Sequence, residues 1–173
     1  MTVSSATIDD LRPIVDAFAE FTWPAPRDSM HPVAEKLGWT LQLDRPKGIN
    51  YQTAYGFGRG RASVLISDDD IAEVTVHVSA RIDEDDQEQR AQLAQAFSAV
   101  RGALEQILGT PAHVRRGEYP RISWDLASGG RIALDRLGAV VALTVLQQKY
   151  ADIERFEESR GIPDDRDPEA DLV

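Results

Sequence analysis

An α+β fold built on a single antiparallel sheet of about seven strands is predicted by three observations. Two stretches of period-two alternation, residues 39–82 and 121–147, occupy separate halves of the chain, and each is followed by a segment of helical periodicity. Within each stretch the strands are separated by short turn clusters and not by helices, so neighbours pair antiparallel as a meander. Residues 1–161 are expected to form one α+β domain, and the acidic, proline-containing residues 162–173 a disordered tail.

Two short N-terminal helices open the domain. Asp10 is the expected N-cap of the first, which puts Pro13 in its first turn, where a missing N–H costs nothing; Leu11, Ile14, Val15 and Phe18 then share a face. Trp23-Pro24-Ala25-Pro26 breaks the chain. Ser29 caps a second short helix with Pro32 in its first turn and Gly38 as its stop.

From Trp39 the period becomes two. Trp39, Leu41 and Leu43 predict one half-buried strand, and Ile49, Tyr51, Thr53 and Tyr55 a second, joined at Pro46-Lys47-Gly48. A third strand spans Ala62 to Ser67. A fourth runs from Ile71 to Ile82, with Val74, Val76, Val78, Ala80 and Ile82 on one face and Thr75, His77, Ser79 and Arg81 on the other. Asp85 and Glu88 are the cap and third-position pair of the longest helix, whose stripe is Leu93, Phe97, Val100, Leu104 and Ile107, and Gly109 and Pro111 end it. Strands over Arg121 to Leu126, Arg131 to Asp135 and Ala139 to Gln147 follow. The last is apolar on both faces, which predicts a central position under a helix. The final helix, Lys149 to Arg160, presents Tyr150, Ile153 and Phe156 as its buried stripe and stops at Gly161 and Pro163. Helices are expected mainly on one face, and Trp39, Val76, Phe97, Leu104, Trp124, Leu143 and Val145 in one core. The identity between the two halves is too weak to establish a duplication.

Composition narrows the function. A net charge of −10 repels phosphate backbones and anionic lipid, so neither nucleic acid nor membrane is expected as a partner. The same charge favours a protein partner with a basic surface. There is no Cys, hence no disulfide framework or thiolate metal site. Met1 to Asp10 lack a cationic region followed by an apolar run, and no stretch approaches a membrane span, so a cytoplasmic protein is expected.

No residue cluster at catalytic spacing stands out. His31, His77 and His113 are far apart; His77 lies between Thr75 and Ser79, but side chains two apart on one strand sit about 7 Å from each other, beyond hydrogen-bond reach. The run Tyr55-Gly56-Phe57-Gly58-Arg59-Gly60-Arg61 could cradle a phosphate through its backbone N–H groups. It fits neither the dinucleotide fingerprint nor the P-loop, however, and reads better as a hairpin offering Tyr55, Phe57, Arg59 and Arg61 to a partner. Asp68, Asp69 and Asp70 have carboxylates suited to a hard cation but lack EF-hand spacing, and a charged turn explains them. Asp83, Glu84, Asp85 and Asp86 read as a solvated helix start, where negative charge meets the positive end of the helix dipole. Both clusters could steer a basic partner. No catalytic residue, cofactor or metal is expected.

Four segments carry a resemblance: Gly38-Trp39 leading a strand; Leu104-Glu105-Gln106-Ile107-Leu108-Gly109-Thr110-Pro111; Gly117-Glu118-Tyr119-Pro120-Arg121-Ile122-Ser123-Trp124; and the strand pair from Leu134 to Leu146. Together they resemble an actinobacterial family catalogued as domain of unknown function 6301, over roughly residues 10 to 147. These motifs are structural, and the resemblance supplies no catalytic residue. In size and architecture such acidic proteins are similar to immunity proteins encoded beside secreted toxins, an analogy at the level of fold. The leading expectation is therefore a non-catalytic immunity protein that binds a toxin domain with a basic surface. The alternative is a secretion-associated chaperone or adaptor for an exported partner.

Overall fold

The computed structural model describes residues 2–161, so the tail expected over 162–173 lies outside the described residues. Helix α1 spans Ile8–Ala19; a 3-10 turn at Arg27–Ser29 leads into α2, Met30–Lys36. Strands β1 (Thr40–Arg45), β2 (Gly48–Tyr55), β3 (Gly58–Ser67) and β4 (Asp70–His77) follow, then α3 (Gln87–Leu108). Strands β5 (His113–Arg115), β6 (Arg121–Asp125), β7 (Arg131–Arg136) and β8 (Val141–Leu146) precede α4, Gln148–Ser159. All eight strands form one sheet in the order β1-β2-β3-β4-β8-β7-β6-β5, and every pairing is antiparallel. The α+β class and the single antiparallel sheet stand. The strand count rises from seven to eight because β5, three residues at the sheet's edge, is too short to show a period.

Several boundaries move for local reasons. Thr7, and not Asp10, caps α1: the Thr7 hydroxyl accepts from the Asp10 N–H at 3.4 Å while the Asp10 carboxylate accepts from the Thr7 N–H at 2.9 Å, a reciprocal capping box. Pro13 therefore sits inside the helix, on its solvent side, where water can reach the Asp9 carbonyl it leaves without a donor. Asp86 caps α3 one residue later than expected, accepting from the Gln89 N–H at 3.1 Å. Strand β4 ends at His77; beyond it the chain bonds alternately to the N-terminal segment and to the approach to β8, as in Ala6 N–H to Val78 O and Val78 N–H to Val141 O. Strand β1 is exposed at every position, and a bulge between Leu41 and Leu43 puts these two leucines on opposite faces, which breaks the expected alternation.

One face of the sheet builds the main core. Ile49 and Tyr51, Ala62 and Val64, Val74 and Val76, Leu143 and Val145, Ile132 and Leu134, and Ile122 and Trp124 form a continuous apolar surface from β2 across to β6. Against it pack α1 through Leu11, Ile14, Val15 and Phe18, α2 through Met30 and Ala34, and α3 through Leu93, Ala96, Phe97, Val100 and Leu104. All seven residues expected in the core belong to this cluster. Strand β8 lies between β4 and β7 and is buried on both faces, as its composition requires. Among the described residues no helix is long and apolar enough to cross a membrane.

Trp23 reaches this core beside the β6–β7 turn, and Gly130 makes room for it. A Cβ at Gly130 would collide with the Trp23 indole nitrogen and stand 3.0 Å from the Leu146 carbonyl oxygen. Gly130→Ala should therefore cost about 1–3 kcal/mol, the usual range for overpacking. Chemical denaturation checks this, and a loss under about half a kcal/mol, the scale of an ordinary surface change, would contradict it.

The strand order contains an approximate two-fold. A half turn about an axis through the paired residues Thr75 and Thr144, at the β4–β8 seam, carries β4 onto β8, β3 onto β7 and β2 onto β6 with directions preserved. In this register Ile49 falls on Ile122, Tyr51 on Trp124, Val64 on Leu134, Val74 on Leu143 and Val76 on Val145. The repeating unit is a helix followed by a meander: α2 precedes β1–β4 as α3 precedes β5–β8. Helices α1 and α4 have no counterpart in this scheme.

Candidate functional site

Helix α4 covers the second face of the sheet, over β6 and β7. Its expected apolar stripe points outward: Ile153 is 49% exposed and Phe156 56% exposed, the latter with the Arg160 guanidinium stacked 5.2 Å from its ring centre. The inward side carries Ala151, Glu154, Arg155 and Glu158. The physical reason is on the strands. Arg121, Arg131 and Asp135 alternate out of phase with Ile122, Ile132 and Leu134, so this face presents cations, and carboxylates turn toward them.

Arg131 is the hub of the contact and is 1% exposed. Its Nε donates to Asp125 at 2.9 Å, one Nη donates to Glu154 at 3.0 Å and to Glu158, and the other Nη donates to Glu158 at 3.1 Å. Arg121 donates to Asp135 and to Glu154, each at 2.8 Å, and Thr144 donates to Asp135 at 3.0 Å. Arg155 closes the rim by donating to Asp125 at 2.7 Å and to the Gly129 carbonyl at 2.7 Å. Burial alone would favour the neutral form of Arg131, but these carboxylates hold it more strongly protonated than an ordinary arginine.

The other half of this face is bare. Over β1–β4 no element lies on it among the described residues, and it presents Leu43, Asn50, Gln52, Arg59, Arg61, Ser63, Leu65, Glu73, Thr75 and His77, with the Thr75 hydroxyl donating to Glu73 at 3.1 Å. Leu65 is 54% exposed and Leu43 39% exposed. Leu43, Asn50, Gln52, Arg59 and Arg61 border a shallow hollow of about 420 Å³. His77, paired across the ladder with the row of Arg61 and Ala142, is held below the ordinary histidine value by burial and then by the charges of Arg81 and Arg61.

The structure divides the residues expected to bind a partner. Residues 58–61 are not loop but the start of β3, and the hairpin turn is only Gly56-Phe57. Alternation then sends Tyr55 to the core face, where its hydroxyl accepts from the Trp39 indole N–H at 2.9 Å, and the Phe57 ring lies over Gly60 on that same face, 5.7 Å from the Tyr55 ring. Arg59 and Arg61 point the other way, onto the bare face. Asp68 and Asp69 form the β3–β4 turn with φ of 53° and 62°, and the Asp69 carbonyl accepts from the Arg27 N–H at 2.9 Å. Asp70 begins β4 and bridges to Pro26. Asp83 accepts from the Asp85 N–H at 3.0 Å, Asp86 is the α3 cap, and Glu84 and Asp85 are exposed. The two acidic clusters thus lie beyond opposite ends of the β3–β4 pair.

With this geometry in place, comparison with known proteins is informative on one point. The profile of a family of unknown function, DUF6301, matches residues 9–147. The chain belongs to this family. The match runs from α1 to the residue after β8, so it contains both helix-plus-meander units, and α4 begins immediately past its end. No curated protein and no solved structure matches the chain.

This DUF6301 chain also holds a line of groups that no sequence spacing announces. The Tyr51 hydroxyl and His31 Nδ1 share a hydrogen bond of 2.7 Å, His31 Nε2 lies 3.2 Å from Asp44, and Arg27 pairs with the same carboxylate. The order matches a nucleophile, base and acid relay, but Tyr51 is buried and its phenol is pushed above the ordinary value by that burial, with only the charge of Arg27 opposing. A phenol harder to ionise is a poor nucleophile. The line instead fastens the α2 region to β1 and β2.

Proposed function

We propose that this chain is a protein-binding domain that acts by occupying a partner's surface, and that it serves as an immunity protein neutralising a toxin domain. The observation that carries the reading is the bare half of the second sheet face. It combines exposed leucines with the Arg59 and Arg61 guanidinium groups around a hollow, the mixture of apolar area and arginine that marks binding surfaces. The net charge of −10 supports a partner that is basic overall, and Asp68–Asp70 and Asp83–Asp86 supply carboxylates beyond each end of that face to steer it. An interface of standard size, about 1,600 Å² in total, fits such a complex.

The test is to cross-link the tagged chain in its native host, identify the protein held at one-to-one stoichiometry and assay that protein's toxicity. Neutralisation is expected as the chain reaches equimolar amount. A partner that stays fully toxic at saturation would overturn the immunity role and favour a holding role before export. Finding no stoichiometric partner would overturn the binding function itself.

A further inference from the structure

The approximate two-fold assigns a role to one residue on the bare face. Arg61 on β3 falls on Arg131 on β7, and its cross-strand neighbour Gln52 falls on Asp125, the cross-strand neighbour of Arg131. Arg131 is where α4 is gripped, by Glu154 and Glu158 one helical turn apart. Arg61 occupies the same place in the first half, but it is exposed and no carboxylate pairs with it among the described residues. Where α4 carries its acids inward against Arg131, the equivalent strip beside Arg61 is flanked by Leu43 and Leu65 and has nothing laid on it.

We propose that this strip is the seat for an acidic amphipathic helix of a partner protein, laid across β1–β3 as α4 lies across β5–β7. Two carboxylates at i and i+4 on that helix straddle Arg61, with Arg59 as the second cation, and side chains on the turns to either side of them lie against Leu43 and Leu65. Charge complementarity selects the occupant. The chain is acidic overall, but salt at physiological strength screens distant charge within about 8 Å, so the field around the hollow is set by Arg59 and Arg61. The one carboxylate on the bare face among the described residues, Glu73, stands across from Leu65, four residues along the strand from Arg61. A planar guanidinium held against a sheet takes carboxylates bidentately, as Arg131 does with Glu158. This inference rests on the protein-binding reading above and specifies the chemistry of the contact.

The chain itself supplies the probe. A synthetic peptide of residues 147–161, stapled between positions 153 and 157 on its outward side, carries Glu154 and Glu158 in helical register. The protein's own α4 already fills the β5–β7 site, which leaves the strip at Arg61 for the added peptide. Binding to the full chain is expected in fluorescence anisotropy, with chemical shift changes at residues 43, 52, 61 and 65 in the labelled protein. Arg61→Gln should weaken it at least tenfold, and a peptide with both glutamates changed to glutamine should lose it. Three results would overturn the proposal: no binding at millimolar peptide, equal binding by Arg61→Gln, or shift changes confined to α4 or to the core face. Sedimentation that shows the unlabelled chain pairing with itself through Arg61 would replace the partner helix with a second copy. Should the cross-linked partner bind wild type and Arg61→Gln equally well, the protein-binding function stands and this placement of its contact fails.

Discussion

Arg131→Met should release α4 from the sheet and cost about 3–5 kcal/mol, the range for removing one partner of a buried ion pair. Methionine fills most of the volume, so the loss isolates charge. Asp125, Glu154 and Glu158 converge on the single guanidinium within 3.1 Å, and without it Glu154 and Glu158, 23% and 15% exposed, lose the cation they share beneath α4, while Asp125 at the open rim, 41% exposed, keeps Arg155. Urea denaturation measures the loss, and a smaller helical signal in the folded baseline reports the undocking. Changing Glu154 and Glu158 to leucine in the same protein should restore much of the stability, because replacing a whole buried ion cluster by apolar groups is often neutral. A single Arg131→Met change costing under about 1 kcal/mol would mean that α4 is held by something else.

The same cluster gives a pH dependence of known sign. Burial pushes the Asp125 carboxyl up, but the hydrogen bonds and charges of Arg131 and Arg155 outweigh it and leave the group below its ordinary value of 3.8. A group depressed in the folded state contributes stability that is present above the unfolded value and is lost as pH falls through the folded one. Wild type should therefore lose this contribution only in strong acid, below about pH 4, the ordinary carboxylate range. In Arg131→Met the contribution should already be reduced at neutral pH, which flattens the acid limb of the stability profile.

Leu104→Ala is the second large effect, about 2–5 kcal/mol. Leu104 is fully buried on the inner side of α3, in the cluster that joins Phe97, Val100 and Trp124 to the sheet. Truncation leaves a cavity whose walls are backbone-anchored strands and the long helix, which cannot collapse into it. The matched control is Ile153→Ala on α4, where half the side chain is already in water and the change should stay within about half a kcal/mol. Equal losses at the two positions would refute the assignment of the two helices' inner faces.

What composition and period determine by themselves is the elements and the one face they share. Period two in β2, β3, β4 and β6 and the continuous apolar run of β8 locate the strands and even the central place of β8, because burial on one or both faces writes itself directly into alternation. The stops at Gly38 and Gly109 are nearly as legible, since each satisfies backbone groups within a residue or two along the chain, whereas the caps fall on Thr7 and Asp86 instead of Asp10 and Asp85, because several acidic and hydroxyl residues near each helix start can serve. The tertiary structure alone decided which side of α4 faces in. That helix carries an apolar stripe and an acidic stripe of equal period, and only the cations that β6 and β7 present, brought beside it by pairings over long sequence separations, make the acidic one the inner face. The same holds for the candidate site. Arg59 and Arg61 are visible in the sequence beside Tyr55 and Phe57, but the extension of β3 back to Gly58 puts them on opposite faces, and the equivalence of Arg61 with Arg131 exists only in the register across the β4–β8 seam, between strands 69 residues apart.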